Sequence, residues 1–250
     1  MAATPAWPPD SGVRLFLDIP LSHGATHVID GPQAHYLMNV MRLKVGASFA
    51  AFDDRTGEWR AEIVALAKKS VTIAIVALLH AREAVPDLWL GAAPIRRGRY
   101  DWVAEKACEL GVARFTPVLT RRAVVDRVNR ERLRAHMIEA AEQCGRTALP
   151  LIDGETPLAA WLEGLGERRL FFADEAGGAS AHTAFAARPG PAAILIGPEG
   201  GFDEAERSAV RQRGIAVSLG PRILRADTAA VAAVAAWMAI VGDWAGERIS

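Results

Sequence analysis

Residues 193–206 read AILIGPEGGFDEAE: an apolar run, then Gly-Pro-Glu-Gly-Gly, then an aspartate with a glutamate three places on. The run has the character of a short strand buried on both faces, and Asp203 with Glu206 has the spacing of a helix capping box. Gly214 stands where a C-cap glycine would close that helix. The stretch therefore reads as strand, tight turn and helix, the building unit of an α/β sheet. Its turn then lies at the carboxyl end of a strand, where open α/β sheets bind ligands. Glycines at 197, 200 and 201 lack the G-x-G-x-x-G spacing of a dinucleotide loop. No Gly-Lys-Ser/Thr triplet follows, which excludes a Walker loop. Two readings remain at this point: a simple bend, or a cradle of another kind.

Working outward, the same alternation fills the chain from Asp87 onward. LWLGAAP, RFTPVL, RLFFADE, AAILIG and IAVSLG are strand-like, with helical text near 99–110, 130–145, 157–164, 203–213 and 228–243. This predicts a mostly parallel sheet covered by helices over residues 87–250. Residues 13–79 differ. VRLFLDIP alternates, SFAAFDD and EWRAEIVAL flank Arg55-Thr56-Gly57 as a hairpin, and SVTIAIVALL follows as a β-branched run. One helical piece, PQAHYLMNVMRL, interrupts them with Pro32 at its start. A small β-barrel domain over residues 1–80 is expected, joined to the α/β domain by AREAVPD.

Bulk properties exclude several classes. Of 250 residues, 51% are hydrophobic and 23% charged, the composition of a soluble globular protein. Cys108 and Cys144 form no disulfide framework or metal spacing and read as buried thiols in a reducing compartment. The six histidines are scattered without a ligand pattern, so no metal is expected. MAATPAWPPDSG has no secretory signal pattern. The apolar stretch Ala229–Val241 is shorter than the ~20 residues of a membrane span and reads as a buried helix; with the two cysteines read as reduced thiols, a cytoplasmic protein is expected. Net charge is zero, yet residues 96–134 carry eleven Lys/Arg against five acids. That excess fits either a solvated helical face or a phosphate-bearing partner.

A second Gly-Pro loop occurs in SLGPRILRADTAAVAA, residues 218–233, and carries Arg222, Arg225 and Asp227. Asp227 or Thr228 is placed to cap the following helix. Two such loops about twenty residues apart are expected to line one crevice between neighbouring strand ends. A third constellation joins WVAEKACELGV (102–112) to AAEQCGR (140–146). Glu105, Lys106 and Glu109 suit charge pairing within one helix, while Gln143 and Arg146 stand near a helix end within reach of a ligand.

Together, LIGPEGGFDEAE, SLGPRILRADTAA, EKACELGV and AAEQCGR resemble the ribosomal small-subunit RNA uridine-N3 methyltransferase family of the SPOUT superfamily. RLFLDIP and HYLMNVMRLKVG resemble that family's opening, so the likeness spans nearly the whole chain. It implies an N-terminal PUA-like β-barrel that holds RNA and a C-terminal SPOUT α/β domain with a trefoil knot. It also implies a homodimer binding S-adenosyl-L-methionine, and a target uridine in the decoding region of 16S rRNA, within the 30S subunit. Two positions depart from the pattern: Asp227 replaces the usual glutamate, and Met41 the usual leucine before Arg42.

Carried onto this sequence, the resemblance places backbone groups of Leu195, Ile196, Gly197, Pro198, Glu199 and Gly200 on one side of the cofactor. Ser218, Leu219, Gly220, Ile223 and Leu224 form the other. Arg225 is expected to stabilise the uracil anion and Glu199 to contact the cofactor or the N3 proton; a plain charge at a helix N-terminus is the alternative for Glu199. Arg14, Arg42, Lys44, Arg121 and Arg122 are the expected phosphate contacts. Competing readings are a methyltransferase acting on a ribose 2′-hydroxyl or on tRNA, and a non-catalytic RNA-binding assembly factor.

Overall fold

A computed structural model describes residues 12–123, 125 and 127–245. The signal-peptide reading of the N-terminus and the charge of Asp126 lie outside the described residues. The chain divides into two compact units, Met1–Ala84 with Ala141–Ala148, and Val85–Ala140 with Leu149–Ser250.

The first unit is built on a sheet of β1 (Arg14–Phe16), β2 (Thr26–Asp30), β3 (Ser48–Phe52), β4 (Gly57–Leu66) and β5 (Ser70–Ala81). Spatial order is β1-β3-β4-β5-β2, antiparallel except for the β1–β3 pair. Three register shifts interrupt the β4–β5 ladder, and such irregularities bend and twist a strand pair. Alternate residues of the strands, among them Leu15, Phe49, Ala51, Ile63, Ile73 and Ile75, point into one apolar core. The expected helical piece is real but irregular. Helix α1 (Gly31–His35), with proline in its first turn, runs into one π-helical turn over Tyr36–Val40.

The β3–β4 hairpin turns on Asp53, which is only 1% exposed. Its carboxylate accepts the N–H groups of Leu21, Arg55, Thr56 and Gly57 and the Thr56 hydroxyl. Burial alone would raise its pKa, but these donors outweigh burial and hold it below the ordinary carboxylate value.

In the second unit, β6 (Leu88–Ala92), β7 (Arg114–Leu119), β8 (Leu151–Ile152), β10 (Arg169–Ala173), β11 (Ala179–Ser180), β12 (Ala192–Ile196) and β13 (Gly214–Ser218) form a parallel sheet. Its order is β11-β13-β10-β12-β6-β7-β8, with the short β9 (Thr156–Pro157) pairing on β7. Every residue of β12 is buried, as in a sheet covered on both faces. The helices are α2 (Arg97–Glu109), α3 (Arg130–Cys144, whose residues from Ala141 on belong to the first unit), α4 (Leu158–Gly164), α5 (Ala181–Ala186), α6 (Glu204–Arg213) and α7 (Ala226–Ile240). Helix α7 packs against α2 and α5.

Some local expectations need correction. Gly214 ends α6 in an extended conformation, φ −136° and ψ 176°, rather than a left-handed cap, because the next strand starts at once. A Cβ at Gly214 would come within 2.7 Å of the Leu170 side chain, so close strand packing explains the glycine. Arg225, not Asp227 or Thr228, is the N-cap of α7, and Asp227 sits inside the first turn. Cys108 is buried, whereas Cys144 is half-buried. Lys106 pairs with both Glu105 and Glu109, which hold its pKa above the ordinary lysine value. Arg146 is buried inside the first unit beside Glu83, out of reach of a ligand.

Candidate active site

The two Gly-Pro loops do line one cavity, of about 380 Å³, but not between neighbouring strands. Strand β10 lies between β12 and β13. Three strand ends therefore meet there, and Ala173 at the end of β10 with Asp174, Glu175 and Gly177 after it supplies a wall that the two loop motifs do not include. Gly201, Phe202, Arg207, Val217, Pro221, Ala226 and Ala229 complete the lining beyond the expected residues. The volume lies in the range of small-molecule pockets.

Of the expected cradle, Ile196, Gly197, Pro198, Glu199, Ser218, Leu219, Gly220, Ile223 and Leu224 line the cavity, as do Arg222 and Arg225. Leu195 does not: it is fully buried in the core below. Gly200 does not line it either, and its carbonyl is taken by Arg122. Pro198 to Gly201 form a tight turn closed by the Gly201 N–H on the Pro198 carbonyl, 2.9 Å. Gly201 has φ +65°, a backbone conformation that favours glycine. A Cβ at Gly197 would come within 3.0 Å of the Phe202 ring, so this glycine lets the turn fold onto an aromatic floor. Ile223 is 85% exposed on the facing loop, a large apolar side chain presented at the cavity.

The charges fall into two groups. Asp174, its side chain 3% exposed, is engaged by Arg211 at 2.7 Å and Arg207 at 3.8 Å. Burial pushes its pKa up, but the Ala176 N–H and the two arginines win, and the carboxylate stays below its ordinary value. Asp203 and Glu206 make the capping box reciprocally, and the Glu206 N–H with Arg121 lowers the Asp203 pKa. Asp227 bonds Arg99 of α2 at 2.9 Å and accepts the Thr228 N–H. Glu199 and Arg225 are different. Both are exposed at the cavity, and among the described residues neither side chain has a hydrogen bond or ion pair. Helix capping at α6 is done by Asp203, so Glu199 is not needed for it.

The expected phosphate contacts divide. Arg42 and Lys44 are exposed on the first unit, Arg42 with φ 53°. Arg14 is a correction: its guanidinium, 8% exposed, is held by Glu58, the Ala141 carbonyl and the Arg146 carbonyl, and it stacks on Phe52. An arginine so satisfied is a core strut, not a phosphate ligand. Arg121 and Arg122 are bound to the β12–α6 turn. Among the described residues no group of metal-ligating side chains occurs, and no helix is long and apolar enough to cross a membrane.

Comparison with known proteins adds the following. The profile described as RNA methyltransferase domain matches residues 82–238, and that described as RNA methyltransferase PUA domain matches residues 29–76. The ribosomal RNA small subunit methyltransferase E of Rickettsia conorii is 31% identical over 206 residues, covering 80% of this chain and 84% of that protein. Its counterpart in Bacillus subtilis is 28% identical, covering 89% and 94%. Among solved structures, the Neisseria gonorrhoeae ribosomal RNA small subunit methyltransferase E, bound to S-adenosyl methionine, superposes with a TM-score of 0.81. Identity there is 26%, with 93% of this chain and 99% of that one covered. A Legionella pneumophila protein in complex with the cofactor SAM gives a TM-score of 0.85 at 27% identity, covering 93% and 99%. On the match to the catalytic domain and on this degree of identity, the chain belongs to the ribosomal RNA small subunit methyltransferase E family.

Proposed function

We propose that this protein methylates N3 of one uridine in 16S rRNA of the small ribosomal subunit, using S-adenosyl-L-methionine, and that it works as a cytoplasmic homodimer with a knotted catalytic domain. The observation that carries the reading is the cavity at three parallel strand ends, with an unpaired carboxylate, Glu199, and an unpaired guanidinium, Arg225, on its lining.

The residues present fit the cofactor. Gly197 and Gly201, on either side of Pro198-Glu199-Gly200, carry no side chain, so their backbone groups approach a bound molecule directly. Leu219, Ile223 and Leu224 offer apolar surface suited to a purine. Asp174, Glu175 and Arg207 offer both signs of charge for an amino-acid tail. When bound, S-adenosylmethionine supplies an electrophilic methyl group.

Neutral uracil holds a proton on N3, so the nitrogen lone pair becomes an effective nucleophile only as that proton leaves. N3 lies on the Watson–Crick edge, so the base must first leave any pairing. Glu199 is the general base in this reading: it takes the N3 proton, and the charge left behind spreads to O2 and O4. Arg225 donates to those oxygens and stabilises the anion. Asp227, occupied by Arg99, fixes the start of α7 and with it the position of Arg225.

The direct test is incubation with unmethylated small subunits and nucleoside analysis. The expected product is 3-methyluridine; a 2′-O-methylated nucleoside or a methylated tRNA would select the alternative chemistry. Glu199→Gln is expected to lower kcat by roughly 10²- to 10⁴-fold, the range typical of general-base loss. Its deficit should shrink at alkaline pH, where more uracil ionises unaided. A deficit independent of pH removes Glu199 as the base. On the RNA side, replacing both Arg42 and Lys44 by alanine should weaken RNA binding and flatten its logarithmic salt dependence by about 0.7 for each phosphate no longer neutralised. Unchanged slopes would take both residues out of the interface.

A further inference from the structure

We infer that Arg122, supported by Arg121, is a positioning residue that holds the Pro198–Gly201 turn in its cofactor-receiving shape; the inference rests on the cofactor site proposed above. The peptide joining Gly200 to Gly201 lies between two residues without side chains, which makes it the loop's freest unit. Yet it is held at both ends. Its N–H, on Gly201, donates to the Pro198 carbonyl at 2.9 Å, and its C=O, on Gly200, accepts from the Arg122 guanidinium at 3.0 Å. The Arg122 stem also lies against Gly200: a Cβ there would stand 3.4 Å from the Arg122 Cβ and 3.7 Å from its Cδ.

Arg121 secures the far end of the same segment. Its backbone N–H donates to Glu206 at 2.7 Å and its guanidinium to Asp203 at 2.9 Å, the two members of the α6 capping box. Arg121 and Arg122, just past the end of β7, thus clamp the segment from Gly200 to Glu206 at both ends. Between the clamps lie Gly201 and Phe202, and just before them Glu199, all lining the cavity. The held peptide lies between Glu199 and Phe202, the two cavity-lining side chains that flank the glycines. The arginine pair, expected from sequence to meet phosphates, bonds the turn from the surface, the Arg121 side chain being 73% exposed.

The experiment uses the full-length protein with Arg122→Ala, Arg122→Lys and Arg121→Ala. Three readouts are needed: calorimetric S-adenosylmethionine binding, amide hydrogen exchange over residues 197–206 without cofactor, and the salt slope of RNA binding. Arg122→Ala should speed exchange in the turn and raise the cofactor Kd about five- to tenfold, as expected when one charge-assisted hydrogen bond is removed. Lysine keeps one donor and should recover part of both effects, while the RNA salt slope stays that of the wild type. Wild-type exchange and cofactor affinity in Arg122→Ala overturn the inference, as does a slope reduced by about 0.7 with cofactor binding intact. If the wild type itself binds no cofactor, the proposed function fails instead, and exchange in the turn still decides whether Arg122 holds it.

Discussion

Arg225→Ala is expected to lower kcat by roughly a hundred- to a thousand-fold while the cofactor Kd moves by no more than about threefold. The asymmetry follows from where the side chain stands. Arg225 caps α7 through its backbone alone, with no side-chain cap bond, so its guanidinium is not spent on the fold. It lines the cavity without a protein partner among the described residues. A cation placed to meet charge that develops only as uracil loses its proton contributes to the transition state and little to ground-state binding. Arg225→Lys retains the charge without the planar pair of donors and should recover only part of the rate. Single-turnover rates with saturating RNA check this. An unchanged kcat with a raised KM for RNA and a flattened salt slope would make Arg225 a phosphate ligand instead.

Much of the site was legible because its two loops carry rare residues. Gly-Pro after an apolar strand, twice, with a carboxylate in one loop and arginines in the other, marks Glu199 and Arg225 as the side chains to ask about. The third wall was not legible. RLFFADE reads as a strand, but nothing local says that β10 inserts between β12 and β13. Strand order is decided by long-range pairing, and periodicity carries no information on which buried strand neighbours which. The signal that was available is Asp174-Glu175 with Gly177-Gly178 just beyond Ala176, an acidic pair at a strand end. The same limit explains Arg14, Arg121 and Arg122. Sequence shows charge, and a basic stretch suggests an anionic partner. Only the fold shows that Arg14 is buried against Glu58 and two carbonyls, and that Arg121 and Arg122 bond a neighbouring turn from the surface.

Secondary structure was missed where elements are short. Strand β2 breaks the β-branched pattern with histidine and aspartate and is stabilised by pairing along β5. Helix α5 has six residues and a Ser180 cap, too short for a period to declare itself. The π-helical turn after α1 ends at Met41, whose N–H donates to the Tyr36 carbonyl, and Arg42 follows with a positive φ of 53°.

The first unit should fail at one buried carboxylate. Asp53→Ala is expected to destabilise it by on the order of 3–5 kcal/mol, the cost of leaving several buried donors unsatisfied at about 1–3 kcal/mol each. The Leu21 and Gly57 N–H groups are buried and would have no acceptor in its place, while those of Arg55 and Thr56 reach water more easily. The sign of the pH dependence follows from the lowered pKa. Asp53 binds a proton more readily in the unfolded chain, so its contribution is complete above the unfolded value, about 3.9, and is lost as pH falls through the lower folded value. Acid unfolding of the wild type should therefore steepen below about pH 4, and Asp53→Asn should show a shallower acid limb from a lower plateau. Urea unfolding followed at several pH values measures both. An Asp53→Ala protein as stable as the wild type would mean that the hairpin turn closes without its carboxylate, and that the five donors converging on Asp53 are satisfied by solvent.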